Sequence, residues 1–249
     1  MKTFYIKTLG CKVNSYESEY IRNLLLNNNY EEVESNADIC IVNTCTVTNT
    51  ADNKSKQVIN NIKKNNPHGI VIAMGCFCQF RESEITNLIN ADIIIGNKDK
   101  SKILEYISEF EKNGKQIVKF YDMNNVSFED MEVKKYNKHH RAFIKIEDGC
   151  NNFCSYCIIP YVRGTIKSRK KEDVIVEAKH LLSLGYKEIV LTGIHTGSYG
   201  KDLSDYTFTD LVKDLLKLDD LYRLRISSIE ESEITDELID LLITNEKLA

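Results

Sequence analysis

Short β-branched apolar runs alternate with helical stretches through the first hundred residues. The runs at 4–9, 38–43, 70–74 and 92–95 predict strands; 18–26, 52–64, 82–89 and 100–110 have helical spacing. This alternation predicts a parallel sheet covered by helices. Residues 111–138 lose the pattern, apart from one short strand expected at 116–121. It resumes with strands at 141–147, 188–192 and 222–227 and helices at 171–184, 207–218 and 235–242. Three β/α units in a row predict a second α/β domain. The expected division is therefore 1–112, a linker at 113–138, and 139–249.

Eight cysteines need a reason in such a chain. The amino terminus reads as a charged strand and not as a signal peptide, and no apolar run approaches the ~20 residues of a membrane span. We therefore expect a cytoplasmic protein without a membrane partner. Thiols there are kept reduced, so metal binding or redox chemistry is the reading to test, not a disulfide framework.

Cys150, Cys154 and Cys157 form Cys-x3-Cys-x2-Cys in a loop just after the strand at 141–147. A loop this tight can wrap one corner of a cubic iron–sulfur cluster, giving one thiolate to each of three irons and leaving the fourth open. Zinc is the alternative, but it wants a fourth Cys or His at a standard spacing, and His139 and His140 stand on the far side of a strand. Cys11, Cys45 and Cys76 each follow the carboxyl end of an expected parallel strand, the edge where α/β folds place their ligands. Neighbouring strands run ~4.8 Å apart, so these thiolates could converge on a second cluster, again with one iron open. For any one of them, packing as a small core residue would be the plainer reading. Cys40 lies inside a strand and should be buried; of Cys76 and Cys78, Cys76 is nearer the strand end.

The formal net charge is −4, which does not suggest a nucleic-acid binder. Residues 134–171, however, hold ten Lys or Arg and two acids, a local net of +8 in an otherwise acidic chain. We expect Arg163, Lys167, Arg169, Lys170 and Lys171 to meet RNA phosphate; a solvated face is the alternative.

The words around these cysteines carry a resemblance. Thr8-Leu-Gly-Cys-Lys-Val-Asn14, Asn43-Thr-Cys-Thr-Val-Thr48, Gly75-Cys-Phe-Cys-Gln79 and Asp148-Gly-Cys-Asn-Asn-Phe-Cys-Ser-Tyr-Cys-Ile-Ile-Pro160 are similar to those of the radical S-adenosylmethionine methylthiotransferases. Leu191-Thr-Gly-Ile-His195 and Arg225-Ile-Ser-Ser-Ile-Glu230 continue it. The resemblance implies a Rossmann- or flavodoxin-like parallel-sheet domain, followed by the first half of a partial (β/α)6 barrel. It implies two [4Fe-4S] clusters and S-adenosylmethionine, with Tyr156 near the adenine. Thr192, Gly193, Ser227, Ser228 and Glu230, which end barrel strands, are expected to help grip that cofactor. It further implies an electron donor such as a flavodoxin or ferredoxin, and the anticodon loop of tRNA as substrate.

Within the family, Gly10-Cys-Lys-Val-Asn14 and Thr192-Gly-Ile-His195 resemble the branch that methylthiolates N6-threonylcarbamoyladenosine. Isopentenyladenosine in tRNA or a ribosomal protein are the alternative substrates, and a non-catalytic RNA-binding or metal-storage protein is the alternative class. The chain departs from the family pattern at Cys78 and Glu231, and it stops after three barrel units.

Overall fold

The computed structural model describes residues 1–136 and 140–249. The chain divides into two units, Met1–Met131 with Phe153–Gly164, and Glu132–Asn152 with Thr165–Ala249. The first break falls within the expected linker. The return of 153–164 to the first unit is a feature that the sequence did not suggest. His139, where the second domain was expected to begin, lies outside the described residues.

The first unit runs β1 (Thr3–Thr8), α1 (Lys12–Asn27), β2 (Glu31–Glu32), β3 (Ile39–Thr44), α2 (Asn49–Asn65), β4 (Ile70–Gly75), α3 (Cys76–Phe80), α4 (Ile85–Leu88), β5 (Ile93–Ile95), α5 (Ile103–Asn113) and β6 (Ile117–Lys119). After Phe153 it gains α6 (Ile159–Arg163). Its sheet has the order β2-β1-β3-β4-β5-β6, and every neighbouring pair is parallel.

A parallel sheet buried on both faces reads as continuous apolar strands, and the pleat sorts alternate residues to opposite sides. Ile39, Ile41, Ile72, Met74, Ile93 and Ile95 pack with Ile21, Leu25, Ile103 and Ile107 of α1 and α5. Cys40, Val42, Val71, Ala73 and Ile94 pack on the other face with Ile59 of α2, Phe77 and Ile85. The helix expected over 82–89 is one short turn, Ile85–Leu88. The chain instead turns into a helix directly at the end of β4, because Gly75 takes φ +103° there and α3 starts at Cys76.

The second unit holds β7 (Ala142–Lys145), β8 (Glu147–Asp148), β9 (Lys167–Ser168), α7 (Lys171–Ser183), β10 (Glu188–Thr192), α8 (Phe208–Leu216), β11 (Arg223–Ile226) and α9 (Asp236–Thr244). The parallel order is β11-β10-β7, with Thr192 opposite Lys145 and Leu191 opposite Ile226. The carboxyl ends of the three strands therefore share one edge. α8 is started by a reciprocal cap, in which the Thr207 hydroxyl accepts from Asp210 N and the Asp210 carboxylate accepts from Thr207 N. No helix among the described residues is long and apolar enough to cross a membrane.

Candidate functional site

In the first unit, β1, β3 and β4 are adjacent, and Cys11, Cys45 and Cys76 lie just beyond their carboxyl ends. Cys11 is exposed, whereas Cys45 and Cys76 are buried. Burial pushes the Cys45 thiol above its ordinary range, and the neighbouring Cys76 and Cys11 thiols add to that push.

The turns that carry these cysteines are tied together by Asn14. Its amide nitrogen donates to Leu9 O at 2.7 Å and Thr44 O at 2.9 Å, and its side-chain oxygen stands 3.8 Å from Cys11 Sγ. Gly10 makes the close approach possible. It holds φ +100°, and a Cβ there would lie 2.8 Å from Cys45 Cβ and 3.0 Å from Cys45 Sγ.

Cys76 Sγ is met by Arg163 Nε at 3.3 Å and by Asn97 Nδ2 at 3.4 Å. Two buried cations, Arg163 and Lys100, share the buried Glu17 carboxylate at 3.1 and 2.5 Å. Sequence reasoning missed Glu17, Asn97 and Lys100. It quoted Asn14 only as part of a motif. Their polarity inside otherwise helical or strand-end stretches was the available signal.

Cys40 and Cys78 stand elsewhere. Cys40 donates to Ala37 O, and Asn66 donates to its sulfur. Cys78 is fully buried; burial drives its thiol up to about 12, and the Thr44 hydroxyl donates to it.

A soft, three-thiol donor set at adjacent strand ends, with a glycine cradle beside it, suits an iron–sulfur cluster. Among the described residues no three His, Cys, Asp or Glu side chains stand close enough to hold a single metal ion. A cluster spreads its thiolates wider than one ion does. Zinc finds no ready site among the described residues, and His139, one of its possible ligands, lies outside them.

The boundary between the units cuts the second cysteine set. Cys154 and Cys157 belong to the first unit, where Cys157 N donates to Cys154 O at 2.9 Å. Tyr156 between them is 90% exposed.

Cys150 belongs to the second unit, and His195 Nδ1 lies 3.6 Å from its sulfur. The imidazole is held on both sides, by Ser198 Oγ at 2.9 Å from Nδ1 and by Glu233 Oε2 at 2.8 Å from Nε2. Burial opposes ionisation of Glu233, yet hydrogen bonds from Lys201 and Ser198, with His195 beside them, hold its carboxyl below the usual range.

At the shared strand edge of the second unit, Thr192 is fully buried, and its hydroxyl has no hydrogen-bond partner among the described residues. Glu147 Oε1 is likewise unpartnered, while Glu147 Oε2 accepts from His195 N at 2.8 Å. A Cβ on Gly193 would meet that carboxylate oxygen at 2.7 Å. Two orphaned polar atoms at strand ends fit a polar cofactor bound against them. Ser227 Oγ lies 3.3 Å from Thr196 Oγ1, and Ser228 O accepts from Thr196 N. Ser228 and Glu230 are exposed. Glu147 was not singled out from the sequence.

The expected phosphate contacts need correction. Arg163 is fully buried in its network with Cys76, Glu17 and Asn14. Arg169 is buried and ion-paired with Glu177. Lys167 is buried, its ammonium donating to Thr165 O. Each cation is spent inside its own unit, so the local +8 overstates the exposed charge. Lys170 is exposed; Lys171 is half-buried, its ammonium 4.4 Å from the centre of the Tyr206 ring.

Two consequences can be measured. Gly10→Ala forces a left-handed backbone on a residue with a Cβ, a strain of roughly 1–2 kcal/mol, and drives that Cβ into Cys45. We expect a lower unfolding midpoint and at most partial iron loading after reconstitution, checked by denaturant titration and iron assay. Burial holds the Glu147 carboxyl well above its ordinary 4.5. The folded state thus keeps a proton that the unfolded chain releases above 4.5, so stability falls as pH rises through that window. Glu147→Gln removes the penalty. Its melting temperature should exceed the parent's by a margin that grows from pH 5 to 8, and a margin independent of pH would refute the account.

A family model described as "Uncharacterized protein family UPF0004" matches residues 3–96, and the Radical SAM superfamily model matches 144–246. Threonylcarbamoyladenosine tRNA methylthiotransferase MtaB of Bacillus subtilis is 44% identical over all of this chain and 56% of its own length. The enzyme of the same name from Aquifex aeolicus is 35% identical, over 98% of this chain and 60% of its own. A tRNA-2-methylthio-N(6)-dimethylallyladenosine synthase of Clostridium botulinum is 36% identical, over 98% and 56%. The chain thus spans a little over half the length of these relatives. In fold it is similar to TsrM, a radical S-adenosylmethionine methyltransferase from Kitasatospora setae, with TM-score 0.63 and 14% identity over 97% of this chain and 57% of that one. The chain thus carries a UPF0004 region and a Radical SAM superfamily region, and over its full extent it is similar to curated tRNA methylthiotransferases.

Proposed function

We propose that this chain takes part in methylthiolation of tRNA, converting N6-threonylcarbamoyladenosine beside the anticodon to its 2-methylthio derivative. The observation that carries the reading is the gathering of Cys11, Cys45 and Cys76 beyond three adjacent parallel strands, in a chain that also carries the Cys150, Cys154 and Cys157 loop. Cys150, Cys154 and Cys157 would hold one [4Fe-4S] cluster, and Cys11, Cys45 and Cys76 the other. Bound there, the clusters supply the electron that splits the sulfonium of S-adenosylmethionine and a place to hold sulfur. Thr192 and Glu147 would offer their unpartnered oxygens to the polar groups of that cofactor, with Gly193 beside them, and the family resemblance gives Tyr156 a role near the adenine. Ser227, Ser228 and Glu230 complete the strand-end edge. The work belongs in the cytoplasm, where tRNA and a flavodoxin- or ferredoxin-type electron donor are present.

The threonylcarbamoyl substrate is favoured by the 44% identity to the Bacillus subtilis relative; the 36% identity to a dimethylallyladenosine synthase keeps that substrate as the second reading. The test is nucleoside analysis of tRNA from a host lacking its own enzyme and expressing the gene that encodes this chain. A methylthio group on threonylcarbamoyladenosine is expected. Methylthiolation of the isopentenyl nucleoside instead would decide for the second reading. Ala at Cys150, Cys154 or Cys157 should lower 5′-deoxyadenosine formation by at least a hundredfold, and undiminished cleavage would remove these cysteines from the site.

Lys170 and Lys171 are the two members of the expected basic set left to meet phosphate. Each phosphate contact adds ~0.7–0.9 to the salt slope of RNA binding. Lys170→Glu with Lys171→Glu should weaken tRNA binding and flatten that slope by roughly 1–2. An unchanged slope would leave these lysines as a solvated face.

A further inference from the structure

We propose that Arg163 is a positioning residue for the Cys76 sulfur, and that it sets the reduction potential of the cluster which Cys76 would help to hold. The proposal rests on the reading of Cys11, Cys45 and Cys76 as a cluster set, and it assigns Arg163 a role other than RNA binding.

Arg163 ends α6, six residues after Cys157, and its side chain is wholly buried. All three nitrogens of the guanidinium have partners in the first unit. Nε points at Cys76 Sγ at 3.3 Å, Nη1 donates to Glu17 Oε1 at 3.1 Å, and Nη2 donates to Asn14 Oδ1 at 2.8 Å. The third contact matters as much as the first. Asn14 is the residue that ties the Cys11 turn to the Cys45 turn, so one guanidinium touches Cys76 directly and the other two turns through Asn14.

The position is fixed from a second direction. Asn97 has two amide hydrogens. Its nitrogen lies 2.9 Å from Val162 O and 3.4 Å from Cys76 Sγ, so the same side chain grips the backbone beside Arg163 and the sulfur that Arg163 faces. Gly164 closes α6 at φ +73° with no room for a side chain, because a Cβ would lie 2.2 Å from Met123 O.

Burying an arginine is costly unless its charge and its donors are matched. Glu17 supplies one negative partner but also serves Lys100. A metal-bound thiolate at Cys76 is a better acceptor for a charged N–H than a thiol is. Hydrogen bonds to cluster sulfurs and nearby charge are among the levers that set cluster potentials, and both stabilise the reduced, more negative state. Arg163 supplies both at once. Lysine keeps the charge but cannot reproduce the fixed fork.

The experiment starts from the chain with Cys150, Cys154 and Cys157 all replaced by Ala, reconstituted anaerobically with iron and sulfide so that only the second set can be loaded. Iron content, the EPR signature and the midpoint potential are measured for this parent and for Arg163→Lys and Arg163→Gln on the same background. We expect the potential to fall to more negative values in Arg163→Gln, with Arg163→Lys between it and the parent, and an altered EPR signature in both. Unchanged potential and signature in variants that hold the parent's iron would overturn the proposal. Loss of iron only in proportion to loss of folded protein, read by circular dichroism in both variants, would make Arg163 a structural staple and also overturn it. A parent that binds no iron would refute the cluster reading itself, and that outcome is distinct from the other two.

Discussion

The first unit depends on a single buried amide. Three parallel strands end side by side, and each must turn away from the sheet within two or three residues. Turns of that kind leave carbonyls pointing at one another in the interior, where an unpaired polar group costs ~1–3 kcal/mol. Asn14 answers two of these carbonyls, Leu9 O and Thr44 O, with the two hydrogens of one nitrogen. Asn43 then donates to Asn14 O at 3.0 Å and locks the start of α1 to β3. Aspartate could not donate, and glutamine would place its amide one methylene too far. The cysteine turns are held in register by this residue, so the thiol donor set is a product of backbone satisfaction as much as of cysteine placement.

The second unit solves its strand edge differently. It leaves the edge partly unsatisfied. Thr192 and Glu147 each keep a buried oxygen without a partner, while their neighbours are tightly engaged: Lys145 with Asp148 at 2.6 Å, Arg169 with Glu177, and His195 with Ser198 and Glu233. Buried oxygens left without partners at the end of β10 and just beyond the end of β7 fit a surface prepared for a polar ligand. The raised Glu147 carboxyl is the same fact seen as protonation, since burial, with the Asp148 charge nearby, outweighs the backbone donors of His195 and Ile194 and the charge of Lys145.

Much of this was legible in the sequence, and the reasons differ by level. The strands of the first sheet were readable because a sheet covered on both faces needs apolar residues at nearly every position, as in Ile39–Thr44 and Ile93–Ile95. The strand-end cysteines followed from those strands. β2 was not readable, because Glu31–Glu32 pairs through its backbone alone and its side chains carry no strand signal. The helix at 82–89 was over-read, since periodicity cannot tell one turn from three when Gly75 starts a helix early. The basic residues were misjudged for a deeper reason. Charge counting assumes exposure, whereas Arg163, Arg169 and Lys167 are buried, Arg163 by partners distant in sequence, Glu17 and Cys76, and the other two by nearer ones, Glu177 for Arg169 and Thr165 O for Lys167.

That last error has a physical lesson about where arginine is useful. An exposed lysine or arginine contributes a mobile charge, screened within about 8 Å at physiological salt. A buried guanidinium contributes a charge and a rigid fork whose three nitrogens can address three groups at set angles. The groups addressed by Arg163 are a carboxylate of α1, an amide oxygen from the first turn of the same helix and a sulfur at the start of α3. No apolar side chain could join those three, and no flexible ammonium could hold them at fixed distances. The segment from Phe153 to Gly164 is counted with the first unit, and in its last residues the polar tether runs through the Arg163 guanidinium and the Val162 carbonyl. Sequence distance conceals this: 146 residues separate Arg163 from Glu17, and the link exists only once the fold has brought them together.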